Sequence, residues 1–196
     1  MVKEKRRIIV GLTGASGPVM GHALLQALRR HPEIEIHLVS TPGARATLAQ
    51  ESDLAYEELE QLAHVVHDEK NMAASISSGS FRTDGMIVIP CSMKSLAGIV
   101  SGYSDNLLLR AADVCLKEGR KVVLVPREMP FGKIHLRNLQ QAADLGCTIV
   151  PPVLTFYNKA DTVRKQIDHI IGKILMQFGL EHDAFRAWEG SDHVDG

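Results

Sequence analysis

A short apolar run followed by three evenly spaced glycines most constrains what this chain can fold into. Ile8–Val10 is rich in β-branched residues, which is typical of a buried strand, and Gly11, Gly14 and Gly17 follow it. A helical pattern then begins at Pro18, a residue type favoured in the first turn of a helix. Glycines allow backbone N–H groups to approach an anion beside the positive end of a helix dipole. The stretch therefore indicates either a phosphate-binding loop or an ordinary tight connection between a strand and a helix.

The remainder of the chain alternates predicted strands with predicted helices. Further strands are predicted at Ile34–Leu38, where alternation indicates one solvated face at or near a sheet edge, and at Met86–Pro90, Lys121–Val125 and Cys147–Val150. Helices are predicted at Pro18–Arg30, Gly43–Gln50, Tyr56–Ala63, shortly after Ser95, and at Leu107–Glu118, Ile134–Leu145 and Thr162–Phe178. Because no hairpin signal separates the strands, the pattern predicts an α/β fold: a flavodoxin/Rossmann-like doubly wound parallel sheet in a single domain.

The composition argues against several classes of function. A formal net charge of −1 and an aromatic content of 5% disfavour a surface for nucleic acid or for an anionic membrane. No apolar run approaches the length of a membrane span. The three cysteines, Cys91, Cys115 and Cys147, are widely spaced and show no metal-ligand pattern, which indicates reduced thiols. We therefore expect a soluble, cytoplasmic protein.

Polar side chains follow every predicted strand. The carboxyl ends of parallel strands meet at one edge of a sheet, where doubly wound folds bind their ligands, so these side chains are candidates for a binding site. Ser16, Ser92 and Ser95 are equally well explained as helix caps. The strand-end residues are Gly14, Ala15 and Ser16, then Ser40 and Thr41, then Ser92, Met93, Lys94 and Ser95, then Arg127 and Glu128, and finally Tyr157.

Three cations stand out by their positions. Arg110 and Lys117 are seven residues apart, two helical turns, so both project from one face of a predicted helix. Cations on a helix are normally solvated at the surface, but the apolar neighbours of these two leave little polar face, so a buried anionic partner is the alternative. Arg127 directly follows a buried strand, and a buried guanidinium also needs an anion. Glu128 beside it is either that partner or an acid–base group.

Other reactive residue types have ordinary explanations. The histidines show no metal spacing, and His22, His37, His64 and His67 are expected at the surface or as caps. Cys91 lies at a strand end but has no identifiable base, so a nucleophilic role is not favoured. The residues alone thus predict a flavodoxin-like domain that binds a phosphorylated ligand such as FMN, with surplus cations for a second phosphate.

Seven short motifs occur in a fixed order that resembles the UbiX flavin prenyltransferases, and within them the branch named after phenolic acid (hydroxybenzoate) decarboxylase. They are Gly11-Leu-Thr-Gly-Ala-Ser-Gly17, Pro90-Cys-Ser-Met-Lys94, Arg110-Ala-Ala-Asp-Val114, Leu116-Lys-Glu118, Val125-Pro-Arg-Glu128, Pro151-Pro152 and Phe156-Tyr157. The similarity runs from about Arg7 to Gly190. It implies a flavoprotein domain over residues 1–190 and a polar C-terminal tail over residues 191–196.

The resemblance implies a reaction, a cofactor and partners. A dimethylallyl group would pass from dimethylallyl phosphate to N5 and C6 of reduced FMN, and no metal would be needed. The prenylated FMN would serve a UbiD-type decarboxylase of phenolic or aromatic acids. Members of this family form large homo-oligomers, so the resemblance implies a dodecamer with sites at the subunit contacts.

The same resemblance assigns roles to individual residues by matching motifs. FMN would contact Gly14, Ala15, Ser16, Thr41, Ser92, Met93, Lys94, Ser95 and Arg127. The allylic phosphate would contact Arg110, Lys117, Arg127, Tyr157 and Lys173. The catalytic residues would be Ser16, Glu51, Glu128, Lys117 and Trp188, of which Trp188 matches an aromatic residue near the prenyl group.

Two positions depart from the family pattern. Thr41-Pro42 stands where the family often has Ser-Lys, which keeps the hydroxyl group but loses a cation. Lys173 stands where many members have arginine, which keeps the charge but loses the bidentate fork of a guanidinium. Both changes are expected to alter affinity rather than to abolish the site.

Two other functions are alternatives to the prenyltransferase. A flavin-dependent cysteine decarboxylase of related fold usually has Pro-Ala-Ser-Ala-Asn-Thr where this chain has Pro90–Ser95, so that alternative is disfavoured. A non-catalytic protein that carries FMN for a decarboxylase would not need Glu51, Glu128 and Lys117 together.

Overall fold

One sheet of six parallel strands organises the computed structural model, which describes residues 5–185. The strands are β1 (Arg6–Leu12), β2 (Ile34–Ser40), β3 (Val65–His67), β4 (Gly85–Cys91), β5 (Lys121–Pro126) and β6 (Thr148–Ile149). Their order is β3-β2-β1-β4-β5-β6, and each neighbouring pair is parallel. The predicted doubly wound parallel sheet is therefore confirmed. The predicted tail and its boundary at residue 190 lie outside the described residues and stay a prediction.

Helices connect the strands, and every predicted helix is present. Their ends differ from prediction by no more than two residues, except that the short helix expected after Ser95 begins earlier, at Met93. Within residues 5–185, none of them combines the length and the apolar character that crossing a membrane requires. The helices are α1 (Val19–Leu28), α2 (Pro42–Glu51), α3 (Tyr56–Leu62), α4 (Met93–Ser101), α5 (Leu107–Lys117), α6 (Lys133–Asp144) and α7 (Val163–Met176), with a 3₁₀ turn at Ser75–Ser77.

Side chains alternate along the central strands and build a separate core on each face of the sheet. Ile8 and Val10 of β1 pack in one cluster with buried residues of α1, α2, α3 and α7. Ile9 of β1 packs in a second cluster with Val88 of β4 and with buried residues of α4 and α5. The strand order reverses between β1 and β4, where α1 and α4 leave toward opposite faces. This reversal opens a crevice at the carboxyl edge of the sheet.

Two details of the β2 edge differ from prediction. The sheet has an additional strand, β3, which is only three residues long and partly exposed, so it gives no periodic signal. The predicted solvated face of β2 was wrong, because His37 is 2% exposed. Phe81, from the segment that leads into β4, covers this face with its ring centroid 5.3 Å from that of His37. The expectation that His37 lies at the surface is corrected accordingly.

His37 joins three strands through its two ring nitrogens. Its Nε2 lies 2.8 Å from the Glu35 carboxylate, which also accepts from the Arg7 guanidinium of β1, and its Nδ1 lies 2.9 Å from Nε2 of His67 on β3. Because a carboxylate only accepts, Nε2 of His37 carries the proton, and Nδ1 accepts from His67. Burial lowers the pKa of His37 despite the opposing effect of Glu35, and burial also lowers the pKa of His67.

We predict that the β2–β3 edge loses stability as the pH falls. In the folded state the pKa of His37 lies below its ordinary value of 6.5, so the unfolded chain takes up the proton first, and the stabilising contribution present at neutral pH is lost below 6.5. The free energy of unfolding should therefore decrease on going from pH 7.5 to about 5.5, and His37→Gln should reduce that slope by up to about 1.4 kcal/mol per pH unit. Denaturant titrations at several pH values measure this.

The matched control is His135→Gln on α6, away from this cluster, which should keep the slope of the unchanged protein. Equal slopes for the unchanged protein and the His37→Gln variant would contradict the assignment.

Candidate functional site

Two cavities at the carboxyl edge flank the loop between β1 and α1. The first has a volume of about 580 Å³, and the second, on the other side of the loop, has a volume of about 510 Å³. Both volumes are within the range of small-molecule sites. Most of the first cavity's lining is polar and carries both signs of charge: Lys70 and Lys94, Glu69 and Asp105, and the hydroxyl groups of Thr41, Ser92 and Ser95, with Gly14 beside them.

The first cavity receives the N-termini of two helices. Thr41 caps α2 by accepting the Ala44 N–H at 3.3 Å, and Ser92 caps α4 by accepting the Ser95 N–H at 3.2 Å. The first N–H groups of each helix have no partner within the helix, and the helix dipole adds positive potential. Although Glu69 and Asp105 also line the wall, the two helix N-termini and Lys94 suit the first cavity to an anion such as a phosphate.

A close backbone contact shapes the wall between the first cavity and the loop. A Cβ atom built on Gly14 would lie 3.0 Å from the Cα and carbonyl carbon of Gly43, so a larger residue would push the two segments apart. The glycine spacing noted in the sequence thus has a packing role here. It brings the backbone of the β1–α1 loop against the start of α2, whether or not a ligand is bound.

The second cavity has a different chemistry. Its polar side chains are Ser16, Arg127, Asp161, Thr162 and Gln166, and the rest of its wall is apolar, including Met20, Pro152, Leu154, Phe156, Ile167 and Ile170. Leu154 and Phe156 are 67% and 78% exposed, so this wall is open in the single chain. The second cavity is therefore suited to a flat or apolar group joined to the anion next door.

Thr13 ties the two loops of the crevice together. Its hydroxyl group donates to the carbonyl oxygen of Pro90 at 2.7 Å and accepts the N–H of Ser92 at 2.8 Å. The side chain is 1% exposed. Sequence reasoning did not select Thr13, although its position between a strand end and the first loop glycine was the available signal.

Glu51 is brought to the same loop from the far end of α2. Its carboxylate accepts the N–H of Gly17 at 2.8 Å. Gly17 has φ of +91°, a conformation that residues with a side chain rarely adopt. The contact places Glu51 at the residue that follows Ser16. The resemblance names both Glu51 and Ser16 among the catalytic residues.

Arg127 and Glu128 follow β5 but do not pair with each other. The Glu128 carboxylate accepts the N–H of Met129 at 2.9 Å, and Arg127 makes no ion pair with any residue in 5–185. The Arg127 side chain is exposed rather than buried. Of the two interpretations of Glu128, the one that makes it the partner of Arg127 is wrong, and the acid–base role stays a prediction.

Arg110 and Lys117 share a face of α5, as predicted, but they do not join Arg127. Arg110 donates to the Ser77 carbonyl oxygen and to the Asp113 carboxylate, so its anionic partner is on its own helix. Lys117 pairs with Glu118 at 2.7 Å. Lys117 precedes β5 and Arg127 follows it, so the length of the strand, about 20 Å, separates them along the sheet. Within one chain these cations are dispersed.

Tyr157 and Lys173 form another separate group. Tyr157 contacts His169 of α7, and Lys173 lies one helical turn further along that helix. Neither residue lines the cavity that contains Arg127. Trp188, the remaining predicted residue, lies outside the described residues. The predicted flavin contacts thus gather around the crevice, whereas the predicted phosphate contacts occupy three separate places on one chain.

Two candidate chemistries find no support in the described part of the chain. Burial raises the pKa of the Cys91 thiol to about 12, so it is not a nucleophile at neutral pH. Residues 5–185 contain no group of three or more histidine, cysteine, aspartate or glutamate side chains placed to hold a metal ion.

Comparison with known proteins agrees with this geometry. Residues 2–179 match the family model described as Flavoprotein. A protein of Sedimentibacter hydroxybenzoicus named "Probable UbiX-like flavin prenyltransferase" is 64% identical over 94% of this chain and 98% of its own length.

Two solved structures extend the comparison to the fold. A dodecameric FMN-dependent UbiX-like decarboxylase from Escherichia coli O157:H7 has a TM-score of 0.92 and 53% identity, over 94% of this chain and all of that chain. A UbiX protein (PadA1) crystallised with FMN and dimethylallyl pyrophosphate has a TM-score of 0.93 and 48% identity, over 96% of this chain and all of that chain.

We predict that removing the Thr13 hydroxyl group destabilises the crevice. Thr13→Val keeps the size of the side chain but leaves the Ser92 N–H and the Pro90 carbonyl without their buried partner, which should lower the free energy of unfolding by about 1–3 kcal/mol. Thr13→Ser keeps the hydroxyl group and should cost less. Denaturant unfolding of both variants measures the two free energies of unfolding. A serine variant as unstable as the valine variant would contradict it.

Proposed function

Because this chain belongs to the Flavoprotein family, and within it to the UbiX-like flavin prenyltransferases, we propose that its crevice holds reduced FMN for prenylation. The enzyme is a transferase that moves a dimethylallyl group from dimethylallyl phosphate to N5 and C6 of the flavin. The observation that carries this proposal is the pair of adjoining cavities at the strand reversal, one suited to a phosphate and one to a ring.

The residues of the crevice fit the two ends of FMN. Two capped helix N-termini and Lys94 suit the phosphate of FMN in the first cavity, where Gly14 allows close approach of the backbone. The apolar wall beside Ser16 and Arg127 suits the isoalloxazine ring in the second cavity. Reduced FMN supplies the nucleophilic N5 and C6 positions. The other two predicted contacts are Ala15, in the loop between β1 and α1, and Met93, the first residue of α4.

We further propose that the site of the allylic phosphate is shared between subunits. The solved dodecameric relative supports a homo-oligomer of this kind. In this arrangement one subunit supplies Arg110 and Lys117 as a pair, and one subunit supplies Tyr157 and Lys173 as a pair. Both pairs would then converge on Arg127 of a neighbouring subunit. This arrangement accounts for why the cations are dispersed on one chain yet match one site in the family.

The converging cations act on the departure of phosphate. When the carbon–oxygen bond of dimethylallyl phosphate breaks, the electron pair leaves with the phosphate oxygen, and the positive charges stabilise the added negative charge. The allyl cation that remains is stabilised by the π-faces of aromatic groups and is protected where water is excluded. The open apolar wall at Leu154 and Phe156 provides such an environment once it is covered.

Proton transfer is assigned to residues beside the ring. The contact with Gly17 holds the Glu51 carboxylate at the Ser16 side of the loop, and the Met129 N–H holds the Glu128 carboxylate at the end of β5. Each carboxylate is thus fixed in direction but keeps an oxygen that can exchange a proton. We assign acid–base roles to both, with Ser16 as the hydroxyl group between them and the ring.

The product and its use complete the proposal. Prenylated FMN would leave for a UbiD-type decarboxylase of phenolic or aromatic acids, and no metal would take part. Cys91, Cys115 and Cys147 are all free and buried, which supports a reducing cytoplasmic setting. The high identity to flavin prenyltransferases, and the sequence at Pro90–Ser95, argue against a cysteine decarboxylase. A non-catalytic flavin carrier is the outcome that the following assay would reveal.

We predict that the purified protein, given reduced FMN and dimethylallyl phosphate without oxygen, forms a flavin heavier by one prenyl group. Lys117→Ala removes a charge that stabilises the leaving phosphate, and Glu128→Gln removes an acid–base group. Each should lower the rate of product formation by roughly 10²-fold while FMN still binds. Mass spectrometry of the flavin and titration of FMN fluorescence measure the two properties.

Lys5→Ala and Glu57→Gln, which change exposed residues away from the crevice, are the matched controls and should keep full activity. Absence of product from the unchanged protein would support the flavin-carrier alternative. Loss of FMN binding in the Lys117 or Glu128 variants would show that their assigned roles are wrong.

The shared site makes a separate prediction about mixed assemblies. If Lys117 and Glu128 act at one site from different subunits, co-expressing the Lys117→Ala and Glu128→Gln chains in equal amounts leaves about a quarter of the sites intact. The mixed protein should then regain roughly a quarter of the full activity, although each variant alone is nearly inactive. No recovery in a verified mixed oligomer would mean that both residues act from the same chain.

A further inference from the structure

A buried histidine stands behind one of the proposed phosphate contacts. Nε2 of His169 lies 3.3 Å from the hydroxyl oxygen of Tyr157, and the two rings meet edge to face at a centroid distance of 5.5 Å. His169 is 5% exposed, whereas Tyr157 is 43% exposed. The motifs of the sequence assigned no role to His169, although it precedes Lys173 by one helical turn.

Packing holds the His169 ring in place. The Phe185 ring lies over it at a centroid distance of 5.1 Å, and Phe185 also packs against Gly172, where a Cβ atom would collide with it. The Lys173 ammonium group lies 5.3 Å from the centroid of the same Phe185 ring. Tyr157, His169, Phe185 and Lys173 therefore follow one another in contact, and the histidine is the buried member between the tyrosine and the phenylalanine.

The surroundings also fix the protonation of the ring. Burial, and secondarily the charge of Lys173, lower the pKa of His169, so the imidazole is neutral at pH 7 and carries a single N–H. Nδ1 is buried and has no hydrogen-bond partner within residues 5–185. A proton on Nδ1 would leave a buried donor without an acceptor, whereas a proton on Nε2 is shared with Tyr157. Buried orphan donors are rarer than buried orphan acceptors, so the proton belongs on Nε2.

We propose that His169 is a positioning residue that donates its Nε2–H to the Tyr157 hydroxyl oxygen and so directs the phenolic O–H toward the phosphate of the prenyl donor. If the phenol instead donated to His169, it would present lone pairs to an anion and repel it. An oxygen that accepts one hydrogen bond is also a better donor in the next. This inference rests on the proposed function, because it assumes that Tyr157 meets the allylic phosphate.

Two variants of His169 test the role by keeping or removing the donor. In His169→Gln the side-chain amide nitrogen takes the place of Nε2 and can still donate, whereas His169→Phe fills the space without a donor. The phenylalanine variant should lower kcat/KM for dimethylallyl phosphate roughly ten- to a hundredfold, and the glutamine variant should restore most of it. The dissociation constant for FMN should be unchanged in both. In a Tyr157→Phe background, His169→Phe should cause no further loss.

A second measurement does not depend on activity. Nitrogen-15 NMR of protein labelled in its histidine rings reports which ring nitrogen carries the proton, and the His169 signals are those absent from the His169→Gln spectrum. We expect the proton on Nε2. A proton on Nδ1 would overturn the proposal even if the phenylalanine variant were slow or poorly folded.

The outcomes separate this inference from the function on which it rests. If the unchanged protein forms no prenylated flavin, the proposed function fails, and the His169 role fails with it. If the unchanged protein is active but His169→Phe has the same kcat/KM, or if the effects of His169→Phe and Tyr157→Phe add fully, only the inference is overturned.

Discussion

Two hydrogen bonds to one buried hydroxyl group hold the candidate site in shape. Thr13 connects the loop after β1 with the loop after β4, the two strands between which the sheet reverses. The pairing of β1 with β4 ends at Gly11 and Val88, and beyond it the backbone groups of Pro90 and Ser92 take the Thr13 side chain as their partner. Because Ser92 also caps α4, the same contact determines where the helix that faces the first cavity begins.

The fold was largely predictable because it depends on local periodicity. The apolar β-branched runs and the helical stripes each report burial of one element, and the structure confirms them. His37 and β3 show where that information ends. A three-residue strand has no period, and the burial of His37 depends on Phe81, which is 44 residues further along the chain. Contacts over such separations leave no signal in a single sequence.

The candidate site was predictable only in part. Gly14, Thr41, Ser92 and Lys94 could be selected because the carboxyl ends of parallel strands must meet. The positions of Arg110 and Lys117 relative to these residues could not be predicted from the strand ends, because α5 runs back toward the opposite edge of the sheet. His169 was hidden for another reason: a histidine on an apolar helix face is indistinguishable from a packing residue until its neighbour Tyr157 is known.

The hydrogen bond between the Glu51 carboxylate and the Gly17 amide makes the helix ends around the crevice unequal in their attraction for anions. The chain's own carboxylate already compensates the positive end of α1, so a free inorganic ion gains little attraction there. The helix ends that are capped by neutral hydroxyl groups belong to α2 and α4, on the other side of the loop. Adjacent helix ends at this crevice therefore differ in how strongly they attract an anion. The chain sets this asymmetry before any ligand arrives.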